Sequence, residues 1–91
     1  MPEVRVTVGS SVGLHARPAA LFVQQAANQT VPVTISKDGS EPVDARSILS
    51  VIALDAQGGD EVVLHADDVP QADEALRELS EFVAADHDPE N

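Results

Sequence analysis

The sequence predicts an α+β fold, an open-faced β-sandwich in the order β-α-β-β-α-β-α, with a four-stranded antiparallel sheet and its helices on one face. Three observations carry this expectation. Several short segments alternate apolar and polar residues with period two, which suits a sheet covered on one face and wet on the other. Two longer segments place apolar residues on a stripe of period 3.6. The chain has only 91 residues, enough for one small core and no second domain.

Residues 4–8 (Val-Arg-Val-Thr-Val) alternate as a half-buried strand. Residues 9–14 form a loop, and a helix starts near Arg17-Pro18, proline being suited to a first turn. Ala19, Phe22, Val23, Ala26 and Ala27 follow the helical stripe, and Asn28 ends it. Val31, Val33 and Ile35 alternate with polar or proline positions as a second strand. Asp38-Gly39 signals a hairpin turn and places a short third strand at about 40–43. Ser47 caps a short helix carrying Ile48, Leu49, Val51 and Ile52. Gly58-Gly59 is a turn, and residues 61–66 form a strand with Val62, Leu64 and Ala66 on one face. In the last helix Asp68 is the cap and Pro70 lies in the first turn; Ala72, Ala75, Leu76, Leu79, Phe82 and Val83 line one side. One domain therefore covers residues 1–85, and residues 86–91 are read as a frayed acidic tail.

Composition narrows the function. The formal net charge of −11 and the presence of only two aromatics, Phe22 and Phe82, argue against nucleic acid as a partner. Cysteine is absent, which removes disulfides, thiolate metal sites and a cysteine nucleophile. His15, His65 and His87 lack metal-ligand spacing, so no metal or other cofactor is expected. No apolar run approaches the ~20 residues of a membrane span, and the first residues lack the order of a signal peptide. The reading is a cytoplasmic monomer. Charge is also unevenly placed. Residues 1–37 hold Arg5, Arg17 and Lys37 against Glu3 alone, whereas residues 38–91 hold Arg46 and Arg77 against fifteen acids. An anion is best received in the N-terminal third.

The segment Gly13-Leu14-His15-Ala16-Arg17-Pro18-Ala19 sits in that third. It places a histidine just before a helix, two residues from an arginine. Free N–H groups and the dipole at a helix N-terminus favour negative charge. They disfavour a protonated imidazole, which leaves a ring nitrogen free as a nucleophile. A phosphoryl group arriving there would meet the helix amides and the Arg17 guanidinium. Nothing in the chain generates such a group, since there is no nucleotide-binding glycine loop and no carboxylate cluster beside His15. The residues alone leave a second reading open, in which His15 is a polar loop residue and Arg17 a solvated one.

The segment resembles the active-site motif of the HPr family, the histidine-containing phosphocarriers of the sugar phosphotransferase system, and is unbroken from Gly13 to Ala19. Asp44-Ala45-Arg46-Ser47-Ile48-Leu49 is similar to the family's second motif, a basic residue, a serine and two apolar residues opening a short helix. The resemblance covers roughly residues 3–85. It implies a stoichiometric carrier rather than an enzyme, one that takes a phosphoryl group from phosphorylated enzyme I and passes it to a sugar-specific enzyme IIA. It implies that His15 accepts the phosphoryl group, on Nδ1, and that Arg17 attends it. It further implies that Ser47 is a regulatory serine open to a kinase, and that Ala20, Gln24, Ile48 and Leu49 dock partners.

The chain departs from the family pattern in places. Ser50 stands where many members have glycine, and Gln24 and Ala27 where some have basic residues. These changes bear on kinase recognition and partner preference and leave His15 untouched. Duller alternatives also stand. Ser47 can be a cap and nothing more, one of Ile48 and Leu49 is expected in the core, and His65 is expected to face outward. A rival function is a regulatory binding module switched at Ser47. A stand-alone enzyme is disfavoured by the lack of an acid–base or cofactor constellation.

Overall fold

The computed structural model describes residues 2–11, 13–37 and 39–85. Its elements follow the expected order: β1 (Glu3–Thr7), α1 (Ala16–Ala27), β2 (Val33–Lys37), β3 (Val43–Asp44), α2 (Ile48–Ala53), β4 (Glu61–Ala66) and α3 (Ala72–Ala84). The strands form one sheet in the order β1-β4-β2-β3, and every neighbouring pair is antiparallel. Strand β4 lies between β1 and β2, so Leu64 faces Val4 on one side and Ile35 on the other.

The period-two pattern sets the core. Val62, Leu64 and Ala66 of β4 and Val33 and Ile35 of β2 are buried, and the residues between them are not. They share one cluster with Ala19, Phe22 and Ala26 of α1 and Leu76, Leu79 and Val83 of α3. Phe22 is fully buried and lies against the partly buried Phe82, with ring centroids 6.4 Å apart. Removing a side chain of that size from water stabilises the fold by about 3 kcal/mol.

Two elements differ from the sequence expectation. The third strand is Val43–Asp44, later and shorter than 40–43. Ser40 belongs to the turn, because its N–H and its hydroxyl both donate to the Lys37 carbonyl, at 2.8 and 2.7 Å, while the hydroxyl oxygen accepts from the Lys37 N–H at 2.9 Å. Pro42 then has no N–H to give a ladder. The last helix begins after Gln71, not at Asp68-Pro70. The Val69 N–H bonds the Asp67 carbonyl at 2.9 Å and the Ala72 N–H bonds the Val69 carbonyl at 3.0 Å, so the chain turns there first. Helix begins where burial begins, at Ala72. Val31 is buried, but β2 starts two residues later, past Pro32. Of the turn residues Asp38-Gly39, Asp38 lies outside the described residues, as do His87 and the whole of the acidic tail 86–91.

The fold also fixes the loop ahead of α1. The Val8 N–H bonds the Asp60 carbonyl at 2.8 Å, and the Gly59 N–H bonds the Val8 carbonyl at 2.9 Å. The Leu14 N–H bonds the Ala56 carbonyl at 2.9 Å while its side chain is buried. Gly13 takes φ 74°, and a Cβ there would collide with the Ala56 carbonyl. Only glycine brings the loop this close to the segment leaving α2.

Candidate functional site

His15 is the N-cap of α1, with extended backbone (φ −129°, ψ 162°) and no side-chain cap hydrogen bond. Its predecessor Leu14 is locked into the core, and its successor Ala16 takes the left-handed φ of 51°. Such a conformation costs a non-glycine residue about 1–2 kcal/mol. The first-turn N–H groups of Ala16 and Arg17 have no acceptor within the helix, and Pro18 has no N–H at all. The imidazole is 31 % exposed. Residues 13–19 thus place an accessible helix terminus, without a side-chain cap from its N-cap residue, at His15.

Charge pairing singles out one side chain there. Arg5 pairs with Glu61 at 3.2 Å, Lys37 with Asp60 at 3.3 Å, Arg46 with Asp44 at 3.1 Å and Arg77 with Glu81 at 3.3 Å. Arg17 is exposed and forms no ion pair with any described residue. Among the described residues it is the cation without an ion-pair partner, and it lies two positions from the histidine.

A contact absent from the sequence reading lies on the other side of the ring. The Asp55 carboxylate Oδ1 is 3.2 Å from His15 Nε2. Asp55 follows the C-cap Leu54 of α2 and turns the chain with φ 57°, the left-handed step that commonly ends a helix. The Gln57 side-chain amide donates to the same Oδ1 at 2.6 Å, and the Lys37 ammonium donates to the Asp55 carbonyl at 3.0 Å. An aspartate at a helix end, where glycine or asparagine adopts the turn more easily, was the available signal. Forty residues of separation hid its target until the fold closed.

The second motif sits on α2. Ser47 is its N-cap, and the hydroxyl accepts from the Ser50 N–H at 3.3 Å. The expected cap is therefore made. Neither Ile48 nor Leu49 is core, contrary to the expectation for one of them. Val51 takes the buried position, while Ile48 and Ile52 are 37 % exposed and Leu49 78 %. A six-residue helix turns one narrow face inward, and Val51 fills it. Helices α1 and α2 pack on each other, and Ala20 and Gln24 are exposed on α1. His65 lies on the less buried face of β4, as expected. Among the described residues no helix is long and apolar enough to cross a membrane.

Comparison with known proteins gives one family. The family model of the HPr component of the phosphotransferase system, described as its phosphorylation site, matches residues 2–85. The phosphocarrier protein HPr of Streptomyces coelicolor is 52 % identical over 84 residues, covering 92 % of this chain and 89 % of that protein. A crystal structure of HPr from Bacillus anthracis superposes with a TM-score of 0.82 at 36 % identity, over 90 % of this chain and 95 % of that one. Crh of Bacillus subtilis, named for catabolite repression and described as a swapped dimer, superposes with a TM-score of 0.67 at 42 % identity. That match covers 91 % of this chain and 93 % of Crh.

Proposed function

The chain belongs to the HPr family of the phosphotransferase system, and on that premise we propose that it accepts a phosphoryl group on His15 from phosphorylated enzyme I and hands it to an enzyme IIA. The observation that carries this reading is a helix N-terminus at His15 without a side-chain cap bond, with Arg17 two residues on and unpaired among the described residues. Phosphoryl transfer through a loose transition state needs positioning and charge stabilisation more than covalent machinery. Amides at a helix start and the exposed Arg17 guanidinium supply both. The protein acts as a stoichiometric carrier in the cytoplasm, as a monomer, and presents its site to a partner's cleft. Ala20 and Gln24 on α1 and Ile48 and Leu49 on α2 form the surrounding docking surface.

The test is incubation with phosphoenolpyruvate and enzyme I. An acid-labile, base-stable phosphate should form on the wild-type chain, and none on His15→Ala. Labelling that persists in that variant, or that moves to His65, would refute the assignment.

A regulatory role for Ser47 is the second reading, favoured by its place at the head of a helix with an exposed apolar face. A phosphate there would be tolerated by the helix start. It would also put charge at the rim of the docking surface, where a partner must strip water from it. A serine kinase is the partner this reading requires, and Ser50 in place of the family's usual glycine bears on whether such a kinase recognises the site.

A further inference from the structure

We propose that Asp55 is a positioning residue for His15: its carboxylate holds the Nε2–H, leaves Nδ1 as the nitrogen with the lone pair, and offsets the positive charge the ring gains on phosphorylation. The inference deepens the phosphocarrier reading and rests on it.

The geometry carries the argument. Nε2 lies 3.2 Å from Asp55 Oδ1. An ionised carboxylate only accepts hydrogen bonds, so the nitrogen facing it is the one placed to donate. In a neutral imidazole the proton is then on Nε2 and Nδ1 is bare. The acceptor is itself fixed. Gln57 Nε2 donates to Asp55 Oδ1 at 2.6 Å, and the left-handed turn at φ 57° aims the carboxylate back toward the loop. The Leu14–Ala56 hydrogen bond of 2.9 Å, one residue from each partner, joins the two backbones that bear the pair.

The chemistry follows from that proton. When the Nδ1 lone pair attacks phosphorus, an N–P bond forms and the bond from phosphorus to the donor breaks, the electron pair leaving with the donor. Nε2 keeps its proton, so the neutral ring becomes a cation. A carboxylate on Nε2 stabilises that cation more than it stabilises the neutral ring. When the phosphoryl group moves on, the electrons return to Nδ1 and the ring is neutral again. Attachment at the far nitrogen also keeps the Asp55 charge on the opposite edge of the ring from the phosphoryl oxygens.

The test uses the full chain and two variants that keep the turn. Asp55→Asn retains an acceptor without charge and tolerates left-handed backbone, and Asp55→Gly removes the side chain where glycine is unstrained. Long-range proton–nitrogen spectra of 15N-histidine-labelled protein, recorded at pH 9 where imidazoles are neutral, read the tautomer without any phosphoryl donor. The wild-type His15 ring should show its proton on Nε2, and Asp55→Gly should gain a measurable Nδ1–H fraction. Initial rates of acceptance from enzyme I should fall roughly two- to tenfold in both variants, the scale of a partly exposed charge pair. Equal rates in the three proteins, or a wild-type ring protonated on Nδ1, overturn the proposal. A wild-type chain that takes no phosphoryl group at all overturns the phosphocarrier reading itself. The ring spectra tell these failures apart.

Discussion

Helices α1 and α2 pack on each other, and their N-termini are finished in opposite ways. At α2 the Ser47 hydroxyl satisfies the Ser50 amide, and the terminus is closed on itself. At α1 the N-cap is a histidine that makes no side-chain cap hydrogen bond and instead meets Asp55. A capped terminus gains about 1 kcal/mol of stability. An uncapped one forgoes that and keeps its amides for a ligand. The comparison separates two uses of one piece of backbone physics, stability at α2 and, on the proposed function, anion reception at α1.

The sharpest way to break this comparison is at α1. His15→Ala should abolish phosphoryl acceptance while circular dichroism stays unchanged, because a partly exposed N-cap without a cap hydrogen bond holds little of the fold. Next, Arg17→Ala should slow transfer by roughly ten- to a hundredfold. This follows from losing about 1.5–3 kcal/mol of charged hydrogen bonding in the transition state. Arg17→Lys should recover part of the rate, since an ammonium lacks the planar fork. Wild-type rates in both would remove Arg17 from the mechanism.

At α2 the same kind of substitution should act on stability. Ser47→Ala should lower the melting temperature by about 4–8 °C, the equivalent of ~1 kcal/mol in a domain of this size. Ser47→Asp should melt like the wild type, since aspartate also caps. A raised Michaelis constant toward enzyme I in that variant would show that charge at α2 reaches the acceptor site. Wild-type kinetics would leave Ser47 a cap alone.

The smallest effect concerns the turn at residues 57–60, which is bonded to Val8. The Gln57 N–H, bonded at 2.9 Å, and the Lys37 ammonium hold the Asp60 carboxyl below its ordinary value of 3.8. A depressed carboxyl contributes stability above its unfolded value and loses it as pH falls through the folded one. Urea midpoints should therefore drop between pH 5 and pH 3, with a shallower drop in Asp60→Asn. An unchanged slope in that variant would mean that the carboxylate does not brace the turn.

Much of this was legible in the chain. Alternation in residues 61–66 and the stripe from Ala72 to Val83 fixed the main faces of the core, because period is a local property. The third strand was misplaced because one serine hydroxyl extended the turn. The expectation that one of Ile48 and Leu49 is core failed because hydrophobicity does not say which side of a six-residue helix faces inward. His15, Arg17 and Ser47 could be named from two short motifs. Asp55 could not, since its link to His15 passes through the Gly13–Ala56 approach, a tertiary event with no local pattern.

The placement of β4 between β1 and β2 has a consequence for synthesis of the chain. Glu3 pairs with His65, so β1 must wait for β4 before it has any neighbour in the sheet. Pairings so distant in sequence raise the contact order and slow folding, because the intervening loop must close before the contacts reward it. At ribosomal rates of about 5–20 residues per second, the ~40 residues separating His15 from the segment that holds its loop take roughly 2–8 seconds to appear. For that interval the nascent chain displays His15 without the scaffold that orients it. A chain arrested before residue 61 would carry the whole first motif but, of the sheet's pairings, only that of β2 with β3.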